Sequence, residues 1–265
     1  MDFYFFVLSL SRNLKGTEMN DNTHNSLLLL KKHLKDVQGQ WIPSSRIHNT
    51  GIGKTLEDLI QKQEDNLSLP DLDGLEIKSQ RANSKSLVTL FTKSPSFPRG
   101  SNTYLREQYG TEEDSYKIMH TTIYGHNINN YKEKFGFKVE LDRVNERLNL
   151  NVYKNTGKNL ETNNIHWSFQ DLQKKFRKID SVGYITAAHK IKNGIEYFKF
   201  DKITLLLDPT FENFLSNIEN GLIAVDLRLG VYRSGKRKGK THDHGTGFRI
   251  KKENFDKLFN TVIDV

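Results

Sequence analysis

LPDLDGLEIKSQ, residues Leu69–Gln80, is the stretch that decides the fold prediction. Apolar residues alternate here with Glu76 and Lys78, and this period of two predicts a β-strand over Gly74–Ser79. Side chains at positions i and i+2 of a strand project from the same face, so Glu76 and Lys78 share one face. Ile77, between them, is expected to pack on the other face. The strand therefore combines a buried apolar side with an acid and an amine on the opposite side.

The acids of this stretch suggest metal-assisted chemistry. Asp71 and Glu76 can share a divalent cation, and Lys78 can orient or deprotonate a water, which is what cleavage of a phosphodiester requires. The alternative is an exposed edge strand with an ion pair between Glu76 and Lys78. Asp73 fits a turn residue as well as a ligand. Glu57, on the preceding predicted helix, is a further candidate ligand or base, with a solvated helix face as its alternative.

Composition restricts the partners and the metal chemistry. Forty Lys and Arg residues against 32 Asp and Glu give the 265-residue chain a formal net charge of +8. This balance favours an anionic partner, first of all nucleic acid, with a membrane surface or simple solubility as alternatives. The absence of cysteine excludes disulfides, thiolate metal sites and cysteine nucleophiles, and it fits a reducing cytoplasm. Clustered carboxylates would favour Mg²⁺.

Helical and strand patterns alternate along the chain and predict an α/β architecture. Helices are predicted over Ser26–Val37, from Thr55, over Thr103–Gln108, over Trp167–Ile179 and before a C-cap at Gly221. Strand predictions comprise Ser86–Thr92 as a neighbour of Gly74–Ser79, a hairpin with its turn near Asn145, and a hairpin turning at Asn193-Gly194. The apolar run Phe3–Leu10 is too short to span a membrane, and residues 1–18 are an extension if translation starts at Met19.

A strongly basic segment lies near the C-terminus. Between Arg228 and Lys252, nine Lys or Arg residues accompany a single acid, Asp243. Such a segment can neutralise several phosphates, and a solvated loop is the alternative. His242 and His244 share a face of an extended strand, but two histidines and one acid are weak evidence for a metal site. Base reading is favoured, because imidazole and guanidinium donors match the guanine edge.

Four segments carry a resemblance to a known family. They are TGIGKTLEDLIQKQEDNLSLPDLDGLEIKSQ, SLVTLFTKSPSFPRGSNTYLREQYG, HWSFQDLQ and IENGLIAVDLRLGVYRSGKRKGKTHDHGTGFRI. In this order they resemble the MvaI/BcnI group of type II restriction endonucleases, which is more distantly similar to the mismatch-repair nickase MutH. The resemblance runs from about Trp41 to the C-terminus. The motif GIGKT is not a phosphate-binding loop, since His48 stands where that motif needs glycine.

The resemblance implies a PD-(D/E)XK nuclease fold, with a mixed sheet flanked by helices. It implies a catalytic lobe over residues 19–125 and a DNA-recognition lobe over 126–265, which may interleave and which together clasp the duplex. It further implies a bacterial, cytoplasmic monomer that uses Mg²⁺ and cuts double-stranded DNA within CC-N-GG, leaving 5′-phosphates. The MvaI branch implies CCWGG, cut after the second C. A cognate DNA methyltransferase would protect the same site.

The resemblance also assigns residues. Asp71, Glu76 and Lys78 match the catalytic signature, Asp71 and Glu76 as metal ligands, and Glu57 matches an assisting acid. The predicted base-reading residues are Asp226, Arg228, Tyr232, His242, His244 and Arg249, and the predicted phosphate contacts are Lys236, Arg237, Lys238, Lys240, Lys93 and Arg99. Residues 114–134 depart from the family pattern. Two alternatives stay open, namely a MutH-like nickase that depends on partners and a catalytically inactive DNA-binding module.

Overall fold

The computed structural model describes residues 19–60, 71–154, 159–162 and 164–265. Predictions for residues 1–18 therefore lie outside the described residues. The helices are α1 (Asp21–Asp36), α2 (Gly51–Leu59), α3 (Ser101–Tyr109), α4 (Phe169–Phe176), α5 (Phe211–Glu219) and α6 (Phe255–Leu258). The strands are β1 (Ile42–Pro43), β2 (Glu76–Arg81), β3 (Val88–Thr92), β4 (Thr111–Glu113), β5 (Tyr116–Ile123), β6 (Phe135–Asp142), β7 (Arg147–Lys154), β8 (Asn159–Thr162), β9 (His166–Ser168), β10 (Ser181–Lys192), β11 (Ile195–Pro209), β12 (Ile223–Val231), β13 (Thr241–Asp243), β14 (Gly247–Ile250) and β15 (Phe259–Asp264).

The chain divides into two compact units that interleave in sequence. The first comprises Met1–Ser84, Ile179–Asp208 and Phe259–Val265, and the second comprises Lys85–Lys178 and Pro209–Leu258. The units thus divide the chain at places other than the predicted lobe boundary at residue 125. They interleave because β10, although distant in sequence, pairs in parallel with β2. The catalytic and recognition roles of the two lobes stay a prediction.

The sheet of the first unit has the strand order β1-β11-β10-β2, and β15 also pairs with β11. One face of this sheet packs against α1 and α2 in a core that includes Leu30, Leu56 and Ile185, with Ile77 against it. Helix α1 begins where Asn20 caps it, since the Asn20 side chain accepts a hydrogen bond from the Thr23 amide at 2.8 Å. Strand alternation then places Glu76 and Lys78 on the face opposite these helices.

The second unit contains two sheets. One has the order β3-β14-β12-β5-β4, with β13 also paired with β12, and the other has the order β6-β7-β8, with β9 paired with β7. Along β12, Val225, Leu227 and Leu229 are fully buried on one face. Asp226 and Arg228 alternate with them and lie on the other face. An apolar face thus anchors this sheet in a core and leaves its second face polar.

The structure confirms the mixed α/β architecture of sheets flanked by helices. Both predicted hairpins form, and Asn193 and Gly194 adopt the positive φ values, 52° and 76°, that the turn prediction required. No helix in the described ranges is long and apolar enough to cross a membrane.

Three local predictions were wrong. Strands β2 and β3 are not neighbours, because β2 pairs with β10 and β3 pairs with β14 in another sheet. Helix α2 begins at Gly51, four residues before the predicted start, and the hydroxyl of Thr55 donates to the Gly51 carbonyl at 2.8 Å inside the helix. Trp167 belongs to β9, because Ser168 caps α4 and that helix begins one residue later.

Candidate active site and nucleic-acid interface

Three of the four predicted catalytic side chains meet at the start of β2. Glu76 is 2% exposed, and the Lys78 ammonium donates a hydrogen bond to its Oε1. Asp71 approaches from the preceding turn, where its Oδ2 accepts a hydrogen bond from the Ile77 amide at 2.9 Å. Because Ile77 lies between the other two residues, this bond holds the Asp71 carboxylate beside the strand. The arrangement combines two carboxylates with one ammonium.

The turn before β2 is fixed against α1. Gly74 has a φ of +74°, a left-handed conformation that favours glycine, and its carbonyl accepts from the Thr23 hydroxyl at 2.8 Å. The carbonyl of Asp73 accepts from the Ser26 hydroxyl at 2.7 Å, while the Asp73 residue itself is exposed. Asp73 is therefore a turn residue, and the turn determines where Asp71 enters the site.

Glu57 belongs to a helix that covers the other face of β2. The α2 face that carries Gly53 and Glu57 lies over β2, since a Cβ placed on Gly53 would be 4.0 Å from the Ser79 hydroxyl oxygen. Ser79 points to the face opposite Glu76 and Lys78. Strand β2 ends the sheet order among the described strands, so Glu57 could join the other acids only around that edge. Its assisting role stays a prediction.

Tyr184 is a neighbour of the site that the sequence did not indicate. It pairs with Lys78 in the parallel register of β2 and β10, and its hydroxyl donates to Gln80 Oε1 at 2.7 Å. Burial raises the pKa of Tyr184 to about 12, so the phenol stays protonated. The contact depends on pairing between strands about a hundred residues apart, which no local pattern encodes.

The polar face of the second unit centres on Asp226, which is 6% exposed. Its Oδ2 accepts hydrogen bonds from Arg228 Nε at 2.9 Å and from Arg249 Nη1 at 2.7 Å. Its Oδ1 accepts from the Thr122 hydroxyl at 2.9 Å. Arg249 also donates Nη2 to the Leu87 carbonyl at 2.7 Å. Asp226 therefore orients two guanidinium groups, of which Arg228, with 44% of its side chain exposed, is more open than Arg249 with 17%.

Aromatic and imidazole rings continue this face. Tyr232 stacks on His242 with 4.2 Å between ring centroids, and His242 contacts His244 at 4.0 Å. The Arg237 guanidinium lies 5.6 Å from the Tyr232 ring centroid. Burial lowers the pKa of His244 below its usual range, and the neighbouring His242 and His120 act in the same direction. His244 is therefore held in its neutral form near pH 7, able to accept or donate a hydrogen bond.

His120 and Thr122 are members of this polar face that the sequence prediction missed. In the pairing of β5 with β12, His120 lies opposite Arg228 and Thr122 lies opposite Asp226. Residues 119 and 123, which alternate with them, are fully buried. This period-two pattern was the available signal, but residues 114–134 were set aside as divergent from the family.

The predicted phosphate contacts differ in their surroundings. The basic residues of the turn after β12 are exposed, and Lys236, Lys238 and Lys240 have no carboxylate partner in the described part of the chain. Arg99 is also exposed, directly before a glycine with positive φ. Lys93 instead forms an ion pair with Asp171 at 3.1 Å, so a phosphate would have to compete with that carboxylate.

Asp243, the single acid of the basic segment, has a structural role. It accepts hydrogen bonds from the side chains of Ser94 at 2.7 Å, Asn102 at 2.8 Å and Thr246 at 3.0 Å, and from the amide of Gly245 at 2.8 Å. The bonds from Ser94 and Asn102 tie β13 to the start of α3 and the segment before it, and the bonds from Gly245 and Thr246 fix the turn after β13. Within the described residues, no group of three or more histidine, aspartate or glutamate side chains is arranged to hold a metal ion.

Glu76 and Lys78 on β2 have the carboxylate of Asp71 held beside them, and a polar cationic face lies on another sheet. The chain belongs to the MvaI/BcnI restriction endonuclease family, because the model of that family matches residues 31–259. The resemblance suggested by the sequence is thereby confirmed.

Solved structures agree with this assignment. One, described as the restriction endonuclease MvaI in a cognate DNA substrate complex, shares 38% sequence identity and a TM-score of 0.85, covering 93% of this chain and 99% of that chain. Another, the restriction endonuclease MvaI in the absence of DNA, shares 40% identity and a TM-score of 0.61, covering 94% and 99%. A comparison with curated protein sequences gave no match.

Proposed function

We propose that this protein is a Mg²⁺-dependent type II restriction endonuclease of the PD-(D/E)XK class that hydrolyses duplex DNA within CCWGG. The observation that carries the proposal is the hydrogen bond between Asp71 Oδ2 and the Ile77 amide at 2.9 Å. It brings a second carboxylate to the strand that carries Glu76 and Lys78, in a chain of a restriction endonuclease family. Cleavage after the second C, with a 5′-phosphate on the product, and action as a monomer belong to the same proposal.

The donor set fits a hard cation. Asp71 and Glu76 offer carboxylate oxygens, which Mg²⁺ prefers, and the sequence provides no thiolate that would favour a softer metal. Bound there, Mg²⁺ would stabilise charge on the phosphoryl oxygens and lower the pKa of a water ligand. Lys78, hydrogen-bonded to Glu76, is held where its ammonium can orient the attacking water and stabilise developing negative charge. Glu57 is proposed to assist from the edge of β2.

Recognition is proposed for the polar face of the second unit. Arg228 is oriented by Asp226 and keeps Nη1 for the acceptors of guanine, while the more enclosed Arg249 fixes Asp226 from the other side. His242 and His244 supply further donors and acceptors, and Tyr232 supports them by stacking. His120 joins this set through its position opposite Arg228. Lys236, Arg237, Lys238, Lys240, Lys93 and Arg99 are assigned to the phosphates, which position a protein without reading sequence.

Purified protein and a plasmid with mapped CCWGG sites test the proposal. Discrete double-strand fragments are expected with Mg²⁺ and none with a chelator, and sequencing of the ends checks the cut position and the 5′-phosphate. Asp71→Asn should abolish cleavage and retain DNA binding. Asp73→Asn is the matched control, because it neutralises an exposed turn acid two residues away and should cleave normally.

Other outcomes distinguish the alternatives. Nicked circles formed only at hemimethylated sites would indicate a MutH-like nickase. No cleavage with any divalent metal, and identical behaviour of Asp71→Asn and the parent protein, would indicate an inactive binding module. Because an endonuclease of this kind would also cut its host, a methyltransferase that protects CCWGG is a proposed functional partner, and plasmid modified by it should resist cleavage.

A further inference from the structure

The sheet face that carries the proposed catalytic residues extends well beyond them. Tyr184 pairs with Lys78, so the even-numbered residues of β10 lie on the face of Glu76 and Lys78. This alternation brings Lys190 to the same face, six residues beyond Tyr184. At about 3.3 Å per residue, Lys190 is roughly 20 Å further along the strand direction.

Two ammonium groups meet one indole ring on this extension. Lys190 Nζ lies 4.0 Å from the centroid of the Trp41 ring, and Lys199 Nζ lies 5.5 Å from it. Lys199 pairs with Ala188, an even-numbered residue of β10, and therefore shares the face. Trp41, Lys190 and Lys199 are called the Trp41 platform below.

The platform carries uncompensated positive charge. Neither Lys190 nor Lys199 forms an ion pair with any carboxylate among the residues that the structure describes. On the opposite face of the same hairpin, by contrast, Arg81 donates to both carboxylate oxygens of Glu196, at 2.7 and 2.6 Å, and His189 contacts Glu196 at 3.0 Å. Glu196 of the hairpin thus neutralises Arg81 of β2 on one face of the sheet, whereas Lys190 and Lys199 on the other face have no such carboxylate among the described residues.

We infer that the Trp41 platform binds the phosphodiester backbone of duplex DNA outside the recognition sequence. Because both ammonium groups lie within 5.5 Å of one ring centroid, they place two positive charges on one small surface, which favours the phosphates of a DNA strand. The ring attracts the lysines through its π face. Unlike a carboxylate, it does not neutralise their charge. Lysine contacts a phosphate as a point charge, so the platform adds affinity without reading bases.

The distance determines which part of the DNA is contacted. For a duplex that runs along the strand direction, roughly 20 Å corresponds to about six base pairs at 3.4 Å per base pair, which exceeds the length of a five-base-pair site. The inference rests on the proposed function for the position of the scissile phosphate. DNA binding by the platform itself does not require cleavage and can be measured separately.

The test uses full-length protein and labelled duplexes in a chelator, so that binding is measured without hydrolysis. The duplexes contain CCWGG with flanks of 2 or 12 base pairs, and a third duplex of the longer length lacks the site. The variant is Lys190→Gln with Lys199→Gln. The matched control, Lys202→Gln with Lys257→Gln, removes the same charge from lysines that already pair with Asp264 and Asp256, each at 2.8 Å.

Parent protein should bind the long-flank duplex more tightly than the short one, and the platform variant should lose that advantage. Two lost phosphate contacts predict about 10- to 60-fold weaker binding to long duplexes near 0.1 M salt, with the logarithmic salt slope reduced by about 1.8. The control should keep the parent slope. Equal binding of both flank lengths by the parent, or an unchanged slope in the platform variant, would overturn the inference.

Failure of the proposed function gives a different result. If no plasmid is cut under any condition, the nuclease proposal fails, while weaker binding of the duplex without a site by the platform variant than by the parent still reports on the platform. A loss of cleavage by the platform variant on short duplexes, without loss of flank-dependent binding, contradicts the inference, because the lysines would then act at the reaction centre.

Discussion

Replacement of Gly230 by alanine should weaken DNA recognition without weakening the fold. Gly230 lies in β12 directly beside the imidazole of His244, and a Cβ added there would be 2.7 Å from His244 Nε2 and 3.3 Å from Cδ2. Atoms of this kind settle at about 3.5 Å, so the tip of the ring must retreat by roughly 0.8 Å. The Gly230 backbone has no positive φ, so alanine fits its conformation.

The two consequences have opposite signs. Alanine in a compatible strand position should stabilise the protein by about 0.5–1 kcal/mol, because the unfolded chain loses freedom. A hydrogen bond of about 2.9 Å from the imidazole to DNA, lengthened by the same displacement to about 3.7 Å, no longer qualifies as a hydrogen bond. Losing this bond leaves a buried polar group of the base without its partner, which costs about 1–3 kcal/mol, so kcat/KM on the cognate site should fall about 5- to 150-fold.

The assay compares kcat/KM on a CCWGG duplex with the melting temperature. Gly53→Ala is the matched control, since the nearest atom to its added Cβ is 4.0 Å away and its melting temperature should rise without loss of cleavage. Parent-like cleavage by Gly230→Ala would refute the recognition role of His244. A melting temperature several degrees below the parent would refute the expectation that the tip of the His244 ring can move aside easily.

Three further predictions concern the stability contributed by charged and titratable side chains. Arg81→Gln should lower the free energy of unfolding in urea by about 1–2 kcal/mol at pH 7. Because the Arg81 hydrogen bond lowers the pKa of Glu196, the difference in stability between parent and variant should be complete above the ordinary pKa of 4.5 and shrink as the pH falls below it. An undiminished difference at pH 3.5 would contradict the pairing. His244→Gln should lessen the loss of melting temperature between pH 7.5 and 5.5. Burial lowers the pKa of His244 below its ordinary 6.5, so over this range the unfolded state takes up more protons than the folded state, and acid destabilises the parent. Equal acid sensitivity of variant and parent would rule this out. Asp243→Asn removes one carboxylate oxygen from a set of four hydrogen bonds and should destabilise the protein by about 1–3 kcal/mol in urea, whereas no change would show that Ser94 and Asn102 do not depend on it.

Local signals accounted for the elements that formed as predicted. Leucines at helical spacing predicted the helix from Ser26, although α1 begins five residues earlier, after the capping Asn20, and a two-residue turn with positive φ defines the β10–β11 hairpin. Prediction failed where a contact with a residue more distant along the chain determines the structure. The start of α2 was placed at Thr55, whereas that residue is inside the helix, with its hydroxyl accepting from the Ser45 amide at 3.0 Å.

In the candidate site, too, local signals predicted some features and longer-range contacts decided others. The alternation around Ile77 was sufficient to place Glu76 and Lys78 on one strand face. The packing of α1 and α2 decided which face of β2 these helices cover. It therefore decided whether Glu57 lies on the side of Glu76 and Lys78. His120 was missed because residues 114–134 were set aside as divergent, and only strand pairing across more than a hundred residues places it opposite Arg228.

The sequence by itself determined the acidic strand, the two hairpins, the basic segment and the family resemblance, because each is written in neighbouring residues or in their order along the chain. Only the tertiary structure decided that β2 pairs with β10 and not with β3, that Asp226 joins Arg228 to Arg249, and that Trp41 gathers Lys190 and Lys199. These contacts join segments far apart in sequence. They form because apolar faces must be buried and strand edges must find partners, and such requirements are met by the whole chain at once.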